Sequence, residues 1–286
     1  MKPKVTLMSW SNKPIETVYA LWEASKNEDP LLDVNQVNIK DALPVFKKVI
    51  AQNIPVGEHI SFVFMLENVS VSFREQMVRH RIGTKVGDNI GVDIVPDLHT
   101  STFWSQSMRI QGMGKFADYG AYRIPDGLTR RQKQEWDADM LEAQDRYNNW
   151  KTRIPIEDAR EMIPLGAQHR ISWALNLCSI QHIMGKRSCW ILQAGLWFPI
   201  IHGIINELAT KIHPAFRDIA QPPCMDNSCF KTCVYKLENE RRVDGSDCHH
   251  ACPLYLQENH KPYPMEDVGE FHERKELYGE MWGIEL

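Results

Sequence analysis

Residues 59–81, HISFVFMLENVSVSFREQMVRHR, contain the change of period that sets the architecture. From His59 to Leu66 the chain is rich in β-branched and aromatic side chains, which predicts a largely buried strand. Ser72-Phe73-Arg74-Glu75 then has capping-box spacing and predicts a helix from Ser72 to about Arg81. On that helix Gln76 and His80 are four apart and share a face, flanked by Arg79 and Arg81. Two arginines around a histidine repel one another unless anions lie nearby. A guanidinium is also a permanently charged planar fork suited to phosphates and flat heterocycles. The other reading is a solvated basic face pairing with Glu67 or Glu75.

Working outward, residues 4–10 predict a short strand, followed by amphipathic helices over Ile15 to Ala24 and Ala42 to Ala51. Pro44 falls in the expected first turn of the second helix, where it is tolerated. Residues 83–101 hold Gly83, Gly87, Asp88, Gly91, Pro96 and Asp97 and predict a loop, with a second ordered piece from near Thr102. Thr129 to Trp150, free of Gly and Pro, predicts an exposed helix. Glu157 to Met162 predicts a short helix stopped by Pro164. Trp173 to Met184 and Ser188 to Thr210 predict longer, more buried helices, the second bent near Pro199. The expected fold class is α/β of the α+β kind, a mixed sheet flanked by helices. Residues 1–213 would form the catalytic domain and residues 214–286 a small Cys-rich appendage.

The chain has 286 residues, 43% hydrophobic and 24% charged, as an ordinary globular enzyme does. A net charge of -4 indicates no general attraction to nucleic acid or membrane, so any anion site must be built locally. The N-terminal residues MKPKVTLMSWSNKP lack the apolar core of a signal peptide. The most apolar stretch, Trp190 to Ile205, is interrupted by Gly195, Pro199, His202 and Gly203, which argues against a membrane span. A cytoplasmic location is expected.

Three blocks together resemble one known family. Arg79-His80-Arg81, with Glu58-His59, Val69-Ser70 and Gln76 upstream, is similar to the run into the signature of the flavin-dependent (ThyX-type) thymidylate synthases. Thr102-Phe103-Trp104-Ser105-Gln106-Ser107-Met108-Arg109-Ile110 resembles the second half of that signature, making residues 83–101 an insertion within it. Glu157-Asp158-Ala159-Arg160-Glu161-Met162-Ile163-Pro164 is similar to the family's third block, with Asn176, His182, Arg187 and Gln193 at matching spacing.

The resemblance implies a homotetramer whose sites lie between subunits. It implies that Arg79, His80 and Arg81 hold FAD, helped by Asn176 and His182, with His59 near flavin and folate. Gln76, Ser107, Arg109 and Arg160 would hold dUMP, with Arg109 and Arg160 near the phosphate and Arg187 at the carbonyl edge of the pyrimidine. The implied catalytic set is Arg187, Ser107 and His59. The implied reaction moves a one-carbon unit from methylenetetrahydrofolate to C5 of the uracil, with NADPH reducing the flavin. A nucleophilic cysteine is not required; Cys224 follows Pro223, but Met225 stands where the other synthase class has histidine.

Four positions depart from the family pattern. Trp104, Ser105 and Ile110 replace its Asn, Glu and Tyr, and Cys178 replaces an arginine near the flavin. Losing a carboxylate, a phenol and a cation changes hydrogen bonding around the ligands, while Trp104 offers a stacking face. Two enzyme readings follow: the same activity after drift, or a diverged hydroxymethylase or other pyrimidine-nucleotide-modifying enzyme. A noncatalytic nucleotide- or nucleic-acid-binding protein is the reading from another class.

Five of seven cysteines, Cys224, Cys229, Cys233, Cys248 and Cys252, fall close together beside His249 and His250. Without a secretion signal such a cluster reads first as a metal site, zinc before an iron-sulfur cluster, with disulfides or reduced thiols as the other options. The remaining polar and aromatic candidates read as structural. His169 and His202 have no partner that spacing identifies. Trp190, Trp197 and Phe198 fit a helix core. Arg130, Arg131 and Lys133 sit beside Glu135 and Asp137 as a solvated face.

Overall fold

The computed structural model describes residues 2–26, 32–52, 54–78, 101–105, 113–125, 128–187 and 196–219. Four strands, β1 (Lys4–Trp10), β2 (Ser61–Ser70), β3 (Ser101–Ser105) and β4 (Gln168–Asn176), form one sheet in the order β1-β2-β4-β3. Among the described residues every strand pairing is antiparallel, which corrects the expected mixed sheet. The helices are α1 (Pro14–Ala24), α2 (Ile39–Gln52), α3 (Val71–Met77), α4 (Arg130–Trp150), α5 (Ile156–Ala159), α6 (Leu177–Arg187) and α7 (Phe198–Lys211).

Alternation on the two central strands decides which face is buried. Phe62, Phe64 and Leu66 of β2 pair with Leu175, Trp173 and Ile171 of β4, and all six are buried. Successive strand side chains point to opposite faces, so these residues form one apolar surface. Phe46 of α2, Ile201, Ile204 and Leu208 of α7, and Ile180 of α6 join the same core. The core also includes Phe216, in the 3-10 turn Pro214–Ile219, whose ring lies 5.0 Å from Phe46 and 5.7 Å from Phe62. The fold thus continues through Ile219. A second, smaller core joins Met140 and Tyr147 of α4 to Phe116, Tyr122, Ala159 and Ala167.

Several sequence expectations are revised. Residues 168–176 are strand, so the helix expected over Trp173 to Met184 begins only at Leu177. Burial of Ile171, Trp173 and Leu175 against the core selects period two there. His59 ends a 3-10 turn, Pro55–His59, and the strand starts at Ser61 and continues to Ser70. Asn68, at φ 57, accommodates the register shift between Leu66 and Val69.

The cap of α3 is Ser70 rather than Ser72. Ser70 accepts a bond from the Phe73 amide, and Glu75 pairs with Arg74 at 2.8 Å. The amides of Val71 and Ser72 already donate to the carbonyls of Ala167 and Leu165, which leaves Phe73 as the amide needing a side-chain acceptor. Helix α2 starts three residues earlier than expected, placing Pro44 inside the helix but on its exposed side. Pro199 is in the first turn of α7 and does not bend it, because its missing amide proton is not needed there. The first part of the expected Ser188 to Thr210 helix, like the loop over 83–100, is outside the described residues. The exposed α4 stands as expected, starting at Arg130, with Thr129 as its cap in a full capping box to Gln132.

Candidate functional site

The sheet positions the site through two strand-to-helix junctions. β2 runs directly into α3, and β4 runs directly into α6, whose first turn is capped by Asn176 Oδ1 accepting from the Ser179 amide at 2.7 Å. Because the strands are antiparallel, Ser61 pairs with Asn176 at one end and Ser70 pairs with Gln168 at the other. The two junctions therefore lie at opposite ends of the sheet.

At the α3 end, the structure brings Gln76 and Arg187 onto one side chain. Trp197 donates its indole N–H to Gln76 Oε1 at 2.7 Å, and the Arg187 guanidinium lies 4.9 Å from the centre of the Trp197 ring. The indole is fully buried and held by Phe73 at 4.6 Å and Trp173 at 6.3 Å. Gln76 and Arg187 are each half-buried, so both retain access to a ligand. Arg160 is exposed, in a 3-10 turn following α5. Its turn is linked to α3 through the bonds from Val71 and Ser72 to the Leu165–Ala167 backbone.

At the other end, Asn176, Cys178 and the turn bearing His59 come together. His59 is exposed, and Asn176 is nearly buried. Cys178 is fully buried, with its thiol 3.6 Å from the Ile54 carbonyl. Burial, reinforced by nearby Glu58, pushes this thiol up to about 12. A Cβ on Gly57 would lie 3.1 Å from Cys178 Sγ, which shows how closely the turn covers the thiol. His182 is half-buried on α6, one turn beyond Cys178.

Glu67, one proposed partner of a solvated basic face, is taken by Lys4 at 3.4 Å and Arg170 at 3.0 Å. Glu75, the other, is taken by Arg74. Arg79, His80, Arg81, Ser107, Arg109, Ile110 and Gln193 are outside the described residues, as are the five clustered cysteines. Among the described residues, no group of three His, Cys, Asp or Glu side chains could hold a metal.

A family model described as "thymidylate synthase complementing protein" matches residues 9–194. The chain belongs to that family. A flavin-dependent thymidylate synthase of Pyrococcus abyssi is 24% identical over 206 residues, 68% of this chain and 76% of that protein. One of Geobacter sulfurreducens is 28% identical over 182 residues, 61% of this chain and 67% of that protein. The fold is shared with thymidylate synthase X of Helicobacter pylori, solved with FAD and dUMP (TM-score 0.54, 13% identity, 77% of this chain and 100% of that one). It is also shared with the UMP/dUMP methylase PolB of Streptomyces cacaoi, solved with 5-Br dUMP (TM-score 0.55, 16% identity, 76% and 94%).

In this chain Cys178 is packed inside the fold. Trp104, by contrast, is 83% exposed on edge strand β3, opposite Ser172 of β4, so its ring is free to stack. Ser105 is half-buried beside it. Trp197 is a core residue, as expected from sequence, and also the support for Gln76 and Arg187. The sequence signal for that second role is slight: a buried indole N–H needs an acceptor, but nothing in the spacing names Gln76. A cavity of about 500 Å³ opens beyond Phe73, lined also by Lys2, Arg123, Gln168, Leu196 and Pro199. His59, Gln76, Arg160, Asn176, His182 and Arg187 do not line it.

Among the described residues no helix is long and apolar enough to cross a membrane.

Proposed function

We propose that this protein is a flavin-dependent thymidylate synthase: it transfers a one-carbon unit from methylenetetrahydrofolate to C5 of dUMP, with reducing equivalents passing from NADPH through FAD. The observation that carries this reading is the placement of Gln76 and Arg187, distant in sequence, on one indole in a chain of this family. Both present hydrogen-bond donors, which fit a ligand rich in carbonyl and phosphate oxygens.

The residues also fit a flavin. The Asn176 amide has Nδ2 left over from its capping bond, His59 is accessible beside it, and Trp104 offers an exposed aromatic face. FAD, when bound, supplies the redox chemistry; the chain binds, orients and polarises. Arg187 stabilises negative charge on the pyrimidine carbonyl oxygens, which makes C5 more electron-rich. Arg160, with Arg109, holds the phosphate. Gln76 and Ser107 fix the nucleotide, and Arg79, His80, Arg81, Asn176 and His182 hold the flavin. His59 sits where flavin and folate meet.

Helix α6 has 11 residues, which separates its two ends by roughly 16 Å at 1.5 Å per residue. That separation supports a site shared between subunits, with the flavin groups of one chain meeting the nucleotide groups of another in a homotetramer. The working enzyme is proposed to be cytoplasmic. The proposed metal appendage follows Ile219, with Cys224, Cys229, Cys233, Cys248 and Cys252 supplying ligands for zinc or an iron-sulfur cluster. Metal analysis of the purified protein distinguishes these, and a metal-free protein refutes both.

A second reading, hydroxymethyl transfer, is favoured by the replaced positions around the ligands, among them buried Cys178 at the flavin end. Incubating the protein with dUMP, methylenetetrahydrofolate, NADPH and FAD and weighing the product tests both. A methyl gain supports the synthase, a hydroxymethyl gain supports the second reading, and an unchanged nucleotide refutes both.

A further inference from the structure

We propose that Trp197 is a positioning residue that locks the Gln76 amide in one orientation and thereby sets the site's preference for a uracil over a cytosine nucleotide. The inference rests on the nucleotide reading above and deepens it.

An indole N–H donates and cannot accept. The 2.7 Å bond from Trp197 therefore requires Gln76 to offer Oε1 and fixes which end of the amide faces the indole. The two Nε2 protons are turned the other way and remain for a ligand acceptor. Trp197 itself cannot turn, because Phe73 and Trp173 pack on it and it is fully buried. Without that bond the amide could rotate by half a turn and present a carbonyl instead, since its two ends are nearly the same shape.

Arg187 lies on the face of the same indole and has donors only. The two side chains that share Trp197 thus present donors alone to their part of the ligand. A uracil edge offers two carbonyl oxygens around a ring N–H, whereas cytosine replaces one carbonyl with an amino group that donates. A donor facing that amino group leaves both unpaired, and unpaired polar groups in a dry site are costly. The locked amide accordingly favours uracil.

The test is isothermal titration of the FAD-loaded, full-length protein with dUMP and with dCMP. The wild type should prefer dUMP. Trp197→Phe keeps an aromatic ring but removes the N–H, and should shrink the dUMP:dCMP preference by about tenfold, near the worth of one hydrogen bond. Gln76→Glu retains an acceptor for the indole and removes both donors. It should fold normally, lose dUMP affinity by at least about tenfold and move the preference toward dCMP. If Trp197→Phe does not fold, Gln76→Glu decides alone. A wild type that binds dUMP, with variants that keep its preference ratio, overturns this inference only. A wild type that binds neither nucleotide overturns the nucleotide reading along with it.

Discussion

His169 should make the stability of this protein fall steeply in mild acid. The side chain is 4% exposed on β4, paired in register with Val69. Burial is the main cause that lowers its pKa from 6.5 to about 4, the Arg74 charge adds to it, and the Val69 backbone opposes it in part. The folded pKa is depressed, so between these values the unfolded chain holds the extra proton and the folded chain does not. Stability from this residue is complete above the unfolded pKa of 6.5 and is lost as the pH falls toward the folded value of about 4.

Taken over the whole interval, this difference amounts to about 3 kcal/mol at 1.36 kcal/mol per pKa unit. Between about pH 7.5 and about pH 5 the loss is about 2 kcal/mol, because the folded form is still largely neutral at the lower pH. His169→Phe keeps a ring and removes the titration. Urea unfolding of both proteins, at equal protein concentration, should show the wild type losing about 2 kcal/mol more than the variant over that range. The variant's stability at neutral pH does not enter this difference. Parallel pH dependence of the two proteins would show that His169 is not held neutral by the fold.

Gly203 of α7 faces β1 so closely that an added Cβ would lie 2.6 Å from Val5 Cγ2 and 2.9 Å from Val5 Cβ. Gly203→Ala should therefore destabilise by about 1–3 kcal/mol despite the better helix propensity of alanine, and Val5→Ala should restore part of the loss. A neutral or stabilising effect in urea unfolding would show that α7 can lift away from the sheet. Arg160→Ala removes an exposed side chain, so dUMP affinity should fall about tenfold while the melting temperature is nearly unchanged, the first by titration and the second by calorimetry. Unaltered affinity would remove Arg160 from the phosphate site. Cys178, buried and with its thiol pKa pushed up to about 12, should resist alkylation at neutral pH in the native protein and react once urea is added. Rapid native labelling at this position, located by peptide mass mapping, would contradict its burial.

The readable parts of the fold were those in which one period prevails. β1, α1 and α4 follow from local pattern. The failures occurred where one element passes into another without a Gly or Pro between them. Ile171, Trp173 and Leu175 alternate as a strand, but the apolar run continues through Leu177 and Ile180 into α6, and the whole stretch resembles a buried helix. The α3 cap differs for a tertiary reason: the Ala167 and Leu165 carbonyls take the Val71 and Ser72 amides, so the helix starts earlier and Ser70 caps the Phe73 amide. At the site, sequence supplied Gln76 and Arg187 through family resemblance. It could not show that one buried indole joins them, because that contact depends on how α3, α6 and the start of α7 pack together.

Helix α6 also acts as a ruler. Arg187 lies eleven positions beyond Asn176, close to three full turns, so the two side chains return to nearly the same side of the helix. Substitutions along α6 leave that phase intact, whereas inserting or deleting a single residue would swing Arg187 by about 100° around the axis and off the Trp197 ring. The length of residues 177–187 is therefore constrained independently of their identity.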